Sequence, residues 1–563
     1  MEWLQGMLSK YPELAVYFAI GVGYWLGSIQ VLGFKLGGVT GSLIAGIGVG
    51  LLFEVPVSAT AKSLVFLLFL FGIGYSVGPR FVSAMRGDGW RYAVLGIFMP
   101  LVGLLTAWAV ARTLGLDAGF AAGLLSGSLT ESPAMGTAAE AIAALPLGED
   151  ERQLLVAHIG VADALCYIFG ALGVVVFCAN VAPRLLGIDL RAEALRLEEQ
   201  MGIERNRQGV TSAWHPFEFR AYVVDPDAPI VGRTIGEAES SRAGARLFGL
   251  RVRRGDEIIE GRPDLRIEAG DVIVVASRRE MLVEQIGATA REVDDRELLD
   301  IPVASFEIFI SSKAVVGRTL QSLAKDDAVH GVFLRRIVRN GLEIPQGRRT
   351  VVERGDVFHV VGAEASVQRA ARVLGALVQP TDTTDFVAVG FAIFIGALLG
   401  AAASFHIAGI SVSIGTSVGT LVAGIATGYL RSVRPLFGRV PDGAVQFMQS
   451  LGLAGFVCMV GIGAGPHFVA AVREAGASLF FGGMVVTSVP LVAGLYFGRH
   501  VLRIEPLLLL GAIAGALTFT PGLAAVQEKS GSQIAVLGYS GAVAVAHVLL
   551  TTFGTVIVLL LAR

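Results

Sequence analysis

The chain has 563 residues, of which 53% are hydrophobic and 16% charged, and its mean hydropathy is +0.66. A soluble protein carries about 25% charged residues, so most of this chain belongs in a membrane. A net charge of −2 argues against a nucleic-acid binder.

Apolar segments follow from the N-terminus. They are Leu14–Leu32, Gly37–Phe53, Ser63–Val77, Tyr92–Val110, an interrupted one at Ala118–Ala144, and Leu154–Val181. Met1–Tyr11 carries Glu2 and Lys10 without a basic n-region, so no cleavable signal is expected. From about Pro183 to Thr383 the composition turns charged and strand-rich. A second apolar block runs Phe386–Phe405, Ile410–Leu430, Ala444–Ile462, Ala477–Phe497, an interrupted Pro506–Val526, and Ala535–Leu561. The organisation expected is a membrane repeat at 1–182, soluble modules at 205–290 and 300–376, and a second membrane repeat at 384–563.

The two blocks are copies. Gly123-Leu-Leu-Ser-Gly127-Ser128-Leu129-Thr130-Glu131-Ser132-Pro133 returns as Gly511-Ala-Ile-Ala-Gly515-Ala516-Leu517-Thr518-Phe519-Thr520-Pro521, an offset of 388 (123 to 511). Gly41-Ser-Leu-Ile-Ala-Gly46 matches Gly419-Thr-Leu-Val-Ala-Gly424. Gly78-Pro79-Arg80-Phe81 matches Gly465-Pro466-His467-Phe468, and Val161-Ala-Asp163 matches Val545-Ala-His547.

A Gly/Thr/Pro break inside an apolar segment frees backbone groups that lipid cannot satisfy, so it must be buried in protein or line a cavity. Each arm of the interrupted segments has only about a dozen residues, or roughly 20 Å of helix, too short to cross. Arg80, Arg86 and Arg91 and the soluble block fall on one side only if the broken segment is a re-entrant hairpin. The halves then cross five times each, are inverted, and carry the soluble block in the cytoplasm. Twelve plain crossings in parallel repeats are the alternative.

The middle is duplicated too. Val231-Gly232-Arg233-Thr234 recurs as Val316-Gly317-Arg318-Thr319, and Gly270-Asp271-Val272 as Gly355-Asp356-Val357, both at an offset of 85 (232 to 317). Gly-Asp before alternating valines reads as a turn entering a strand. Each unit is short for a domain, so the two are expected to pack as one body.

Paired breaks in two halves are the sequence pointer to a carrier's binding site. Ser132 is placed to cap the second arm with Pro133 at its first helical position, and Thr520-Pro521 repeats the arrangement. Free amides at such helix ends favour carboxylates. The candidates to bind a small carboxylate are therefore Ser128, Thr130, Glu131, Ser132, Pro133, Thr518, Thr520 and Pro521. Glu131 is placed either to meet a substrate ammonium or carry a proton, or to snorkel to a water-filled mouth. Asp163 and His547, at equivalent positions in long apolar helices, and Arg80 are coupling or gating candidates. His158 reads as interfacial, and Lys35 and Arg112 as loop residues. Cys166, Cys178 and Cys458 read as inert core thiols. No phosphate-binding loop, metal spacing or dinucleotide fingerprint is visible, so neither an enzyme nor a cofactor is expected.

Duplicated halves with Gly-Pro-x-Phe and Leu-Thr-x-(Ser/Thr)-Pro hairpins around two Gly-Arg-Thr…Gly-Asp modules resemble the aspartate–alanine exchanger family of bacterial inner-membrane antiporters. The middle modules look like the C-terminal modules of RCK-type potassium-channel regulators. The resemblance implies electrogenic exchange of external L-aspartate for internal L-alanine, a homodimer in the bilayer, and coupling to a cytoplasmic aspartate decarboxylase. A succinate-type dicarboxylate exporter is the rival within the family, and an RCK-gated ion channel the rival outside it.

Overall fold

A computed structural model describes residues 2–31, 34–35, 37–84, 89–201, 217–240, 247–279, 281–287, 290–339, 342–378, 383–407, 410–413, 415–433 and 437–561. The chain divides into a membrane-type unit, 1–197, 339–344 and 380–563, and a second unit, 198–338 and 345–379.

In the first half of the membrane unit the helices are α1 (Glu2–Lys10), α2 (Pro12–Ser28), α3 (Gly38–Leu52), α4 (Ala59–Ala84), α5 (Trp90–Leu114), α6 (Ala118–Ser128), α7 (Pro133–Ala143) and α8 (Glu149–Val176). The second half repeats α2–α8 as α9 (Phe386–Ala402), α10 (Gly415–Val433), α11 (Asp442–Ala464), α12 (Phe468–Tyr496), α13 (Pro506–Ala516), α14 (Thr520–Ser530) and α15 (Ala535–Leu561). Among the described residues, five stretches are long and apolar enough to cross a membrane: Ala59–Pro79, Trp90–Leu114, Glu149–Leu186, Asp442–Val501 and Ala535–Leu561. Asp442–Val501 holds both α11 and α12, joined by a short 3-10 turn at Gly465–His467. Arg112 belongs to the last turn of α5, not to a loop, because the apolar run continues helically up to the left-handed Gly115 cap.

Glycines fix how the halves interlock. Gly74 and Gly78 of α4 press on the backbone of α10 at Leu421 and Ile425, and Gly46 and Gly50 of α3 press on α11 at Cys458 and Ile462. Each helix thus packs on the counterpart of its own neighbour. The direction follows from α4 and α11, which occupy equivalent places in the two repeats. Gly72 faces Val445, Met448 and Gln449, whereas Gly452 faces Phe69 and Val65. Numbers rise along one helix as they fall along the other, so equivalent helices run antiparallel. Repeats related by an axis along the membrane normal would make them parallel; these repeats are inverted.

In each half the broken segment folds back as a helix–break–helix hairpin, α6/α7 and α13/α14. The Gly-x3-Gly spacing explains the seating of the first arm. A methyl at Gly123 would strike the Ile159 carbonyl of α8, and one at Gly511 the Ala535 carbonyl of α15. Small residues let these backbones touch where lipid offers no hydrophobic drive.

The chain between the two membrane halves forms two five-stranded antiparallel sheets with one topology. The first runs Glu257–Glu260, Phe248–Arg254, Val272–Arg278, Phe217–Val223, Arg291–Val293; the second runs Leu342–Ile344, Val332–Arg339, Val357–Ala363, Val303–Ile310, Gly375–Val378. The Gly-Asp turns are as expected. Gly270 and Gly355 take φ +86 and +91, and the carboxylates of Asp271 and Asp356 accept from Glu268 N (2.8 Å) and Glu353 N (2.9 Å) just before the strands begin. The modules pack on each other through Leu250, Ala276 and Phe333, with Phe248 edge-on to His330 and His330 Nε2 on Glu239 at 2.9 Å.

Candidate functional site

The two hairpin tips meet. At the break of α6/α7 the chain leaves the helix at Leu129, and Thr130 takes φ +57; at the equivalent break Thr518 takes φ +54. A β-branched residue in the left-handed region costs about 1–3 kcal/mol, and strain of this kind persists where the surroundings enforce it. Here it occurs twice, at one position of the repeat. Each break keeps the same backbone bonds, Glu131 N to Ser126 O (2.8 Å) and Phe519 N to Ala514 O (2.9 Å).

The left-handed turns aim both hydroxyls across the repeat boundary. Thr130 Oγ1 lies 2.9 Å from Leu517 O across the boundary and 2.7 Å from its neighbour Leu129 O, and Thr518 Oγ1 donates to Glu131 Oε2 at 2.7 Å. Thr551 Oγ1 of α15 donates to the other oxygen, Glu131 Oε1, at 3.0 Å, and His547 Nε2 stands 3.3 Å from that oxygen. Glu131 is 1% exposed. A buried carboxylate needs such partners, because an unpaired one would be expelled or neutralised. The cluster therefore joins α6/α7, α13/α14 and α15 around one acidic group.

Thr130, Glu131, Thr518 and His547 come together as one site. The remaining candidates lie around it. Ser128 is buried, and its carbonyl accepts from Thr487 Oγ1 of α12 at 2.9 Å. Asp163 is buried on α8 and accepts from Ser126 Oγ at 2.5 Å, within its own half. Two expectations are corrected. Ser132 is the N-cap residue and Pro133 opens the helix, but the Ser132 backbone is itself helical and its side chain makes no cap. Thr520 lies inside α14 behind the N-cap Phe519, with Pro521 following, and its hydroxyl pairs with Tyr539 Oη at 3.0 Å. A helical backbone at the cap position turns the hydroxyl away from the amides it would satisfy. Arg80 lies on α4, its side chain outside the described atoms, and Arg86 lies outside the described residues.

Sequence reasoning missed Thr551 and underrated His158. Thr551 follows His547 by four residues, so the helical period alone places both on one face. His158 is buried in the protein: it is 4% exposed, Nδ1 sits 2.6 Å from Asp117 Oδ2, and its ring stacks on Phe120. Asp117 meanwhile caps α6 by accepting from Phe120 N at 2.7 Å. The pair fixes the outer end of the hairpin, and an Asp just before an apolar helical run was the visible signal.

Comparison with known proteins places this architecture. A profile described as a predicted permease membrane region (Asp-Al_Ex) matches residues 15–183 and 388–559, and a TrkA-C domain profile matches 219–284 and 305–375. A transporter of Bradyrhizobium diazoefficiens is 49% identical over 516 residues, covering 92% of this chain and all of that protein. One from Shewanella oneidensis is 37% identical over the full length of both, and one from Bordetella bronchiseptica is 38% identical over 99% of this chain and 98% of its own. All three are named as uncharacterized transporters. No solved structure matches the chain. The chain belongs to the Asp-Al_Ex family of permeases: it is a multi-pass membrane transporter whose two membrane halves flank a pair of TrkA-C domains.

Proposed function

We propose that this permease is a secondary antiporter that exchanges external L-aspartate for internal L-alanine by alternating access around the meeting hairpin tips. The observation that supports it best is the convergence of two hydroxyl donors and an imidazole from the second half on a carboxylate of the first. Chemistry that holds the Glu131 carboxylate also suits the carboxylate of an amino acid. Both substrates share the ammonium and α-carboxylate, while aspartate carries one more negative charge at pH 7. Inward aspartate against outward alanine moves negative charge inward and builds membrane potential from the substrate gradients. In this reading the protein is a homodimer of the bacterial inner membrane, with the TrkA-C pair in the cytoplasm, and it serves a cytoplasmic aspartate decarboxylase.

Counterflow in proteoliposomes tests the proposal. Vesicles loaded with alanine should take up labelled aspartate and develop an inside-negative potential. Flux driven by succinate and not by alanine would replace the reading with the dicarboxylate exporter. Ion current without exchange would replace it with a channel.

A further inference from the structure

The inverted repeats are equivalent in sequence but not in contact, and the differences fall on one pair of glutamates. Glu140 lies seven residues after Pro133 on α7, and Glu528 seven residues after Pro521 on α14. Glu140 reaches into the other half and caps α10. Its Oε1 accepts from Thr416 N (2.6 Å) and Thr416 Oγ1 (2.8 Å), and its Oε2 from Ser417 N (3.2 Å). A carboxylate on helix-end amides gains from both hydrogen bonds and the dipole. Glu528 is exposed and, among the described residues, makes no hydrogen bond or ion pair.

Its counterpart target exists. The alignment of Gly41 with Gly419 pairs Gly37 with Gly415, and both take the left-handed backbone, φ +89 and +88, at the start of α3 and α10. Among the described residues, no side chain caps α3.

A second difference points the same way. On the Glu140 side, Gly554 of α15 lies directly against the Ala134 carbonyl and Thr137 Oγ1, and Thr137 donates to Thr551 O at 2.6 Å. The equivalent of Ala134 is Gly522, and the equivalent of Gly554 is Gly170. These two do not meet. Gly522 instead abuts Val174, four residues beyond Gly170 on α8. One hairpin arm is thus seated backbone to backbone, and the other meets only a side chain.

Resting on the reading of this chain as an alternating-access carrier, we propose that Glu140 and Glu528 are the reciprocal gate latches of the cycle. In the state described here, Glu140 closes the side from which α6/α7 enters. In the other state Glu140 lets go, α14 seats against α8, and Glu528 caps α3. The repeats exchange conformations, which is how inverted symmetry yields two states from one fold. The latches differ in strength. Gly38 and Val39 stand where α10 offers Thr416 and Ser417, so α3 gives amides but no hydroxyl.

Site-directed labelling tests the latch. In a background with Cys166, Cys178 and Cys458 replaced, A524C reports the exposed arm and A138C the buried one. E140Q should slow maleimide labelling at A524C and speed it at A138C, changing the ratio of rates on the order of tenfold for the loss of a charge-assisted cap. E528Q should shift the ratio the other way, and T416G should follow E140Q by a smaller amount. Rates unchanged in both E140Q and T416G, or moving together in both, overturn the latch. Labelling reads conformation and needs no substrate. A protein that labels as expected but fails aspartate–alanine counterflow therefore refutes the substrate alone, and the reverse result refutes the latch alone.

Discussion

The two threonines of the hairpin tips occupy the same backbone geometry but hold different acceptors, and that difference has a measurable size. Thr518 Oγ1 donates to the buried Glu131 carboxylate at 2.7 Å, whereas Thr130 Oγ1 has neutral carbonyls as acceptors, Leu129 O at 2.7 Å and Leu517 O at 2.9 Å. A hydrogen bond to a charged group contributes about 1.5–3 kcal/mol and one between neutral groups about 0.5–1.5 kcal/mol. Valine has the shape of threonine, so the cost of the left-handed backbone is nearly the same and cancels from the comparison. At about 1.4 kcal/mol per tenfold, T518V should slow exchange roughly 10- to 150-fold and T130V roughly 2- to 12-fold. The assay is the initial rate of counterflow at matched amounts of reconstituted protein. Equal losses, or a greater loss in T130V, would refute the assignment of the carboxylate as the group that matters at the tip.

Other expectations can be checked without transport. G511V drives a side chain into the Ala535 carbonyl, so folded, monodisperse protein should be lost on size-exclusion chromatography, while a substitution at the open Gly21 should be tolerated. D117A removes both the cap on Phe120 N and the partner of His158; a loss of about 1 kcal/mol or more should lower the melting temperature in detergent. Burial pushes the Tyr222 hydroxyl up to about 12 from its ordinary 10.0. The fold favours the protonated form, so its contribution is complete below pH 10 and is lost as pH rises through 12. Melts of the full chain over pH 9–12 should show that decline in the wild type and less of it in Y222F, which also gives up the 2.9 Å bond to Leu282 O. The same decline in both proteins would remove Tyr222 as its cause.

The architecture was legible because lipid and repetition both leave strong marks. Apolar runs give the helices, and the Thr-x-(Ser/Thr)-Pro breaks give the hairpins. The return of Gly41-x4-Gly46 and of Gly-Pro-x-Phe gives the duplication. The central modules were equally open to reading, since Gly270-Asp271 and Gly355-Asp356 encode the same turn. What the sequence hid was pairing at a distance. Thr130 and Thr518 are far apart in the chain, and no local rule says that one will meet a carbonyl and the other a carboxylate. Ser132 shows the opposite failure: its cap motif is correct in composition, but the strained turn before it absorbs the change of direction, and the serine becomes helical. That Gly554 meets the Ala134 backbone while Gly522 meets only the Val174 side chain is a property of conformation, which identical repeats would not reveal.

The symmetry is broken where chemistry would suffer from keeping it. Phe519, 6% exposed, fills the place that Glu131 holds in the other half, so the meeting tips carry one acid rather than two like charges in a dry interior. An ionised carboxylate only accepts, with about four lone-pair sites, so Glu131 has room for a further donor beyond Thr518 and Thr551. The donor common to aspartate and alanine is the ammonium. E131Q should therefore weaken both amino acids alike, by roughly 10- to 150-fold for one charge-assisted bond, and leave their ratio unchanged. Succinate, with no ammonium, should be affected little. Competition of each compound against labelled aspartate in proteoliposomes measures all three. If E131Q altered aspartate and spared alanine, the group at the tip would be reading the side-chain carboxylate, and the ammonium would have to be held elsewhere.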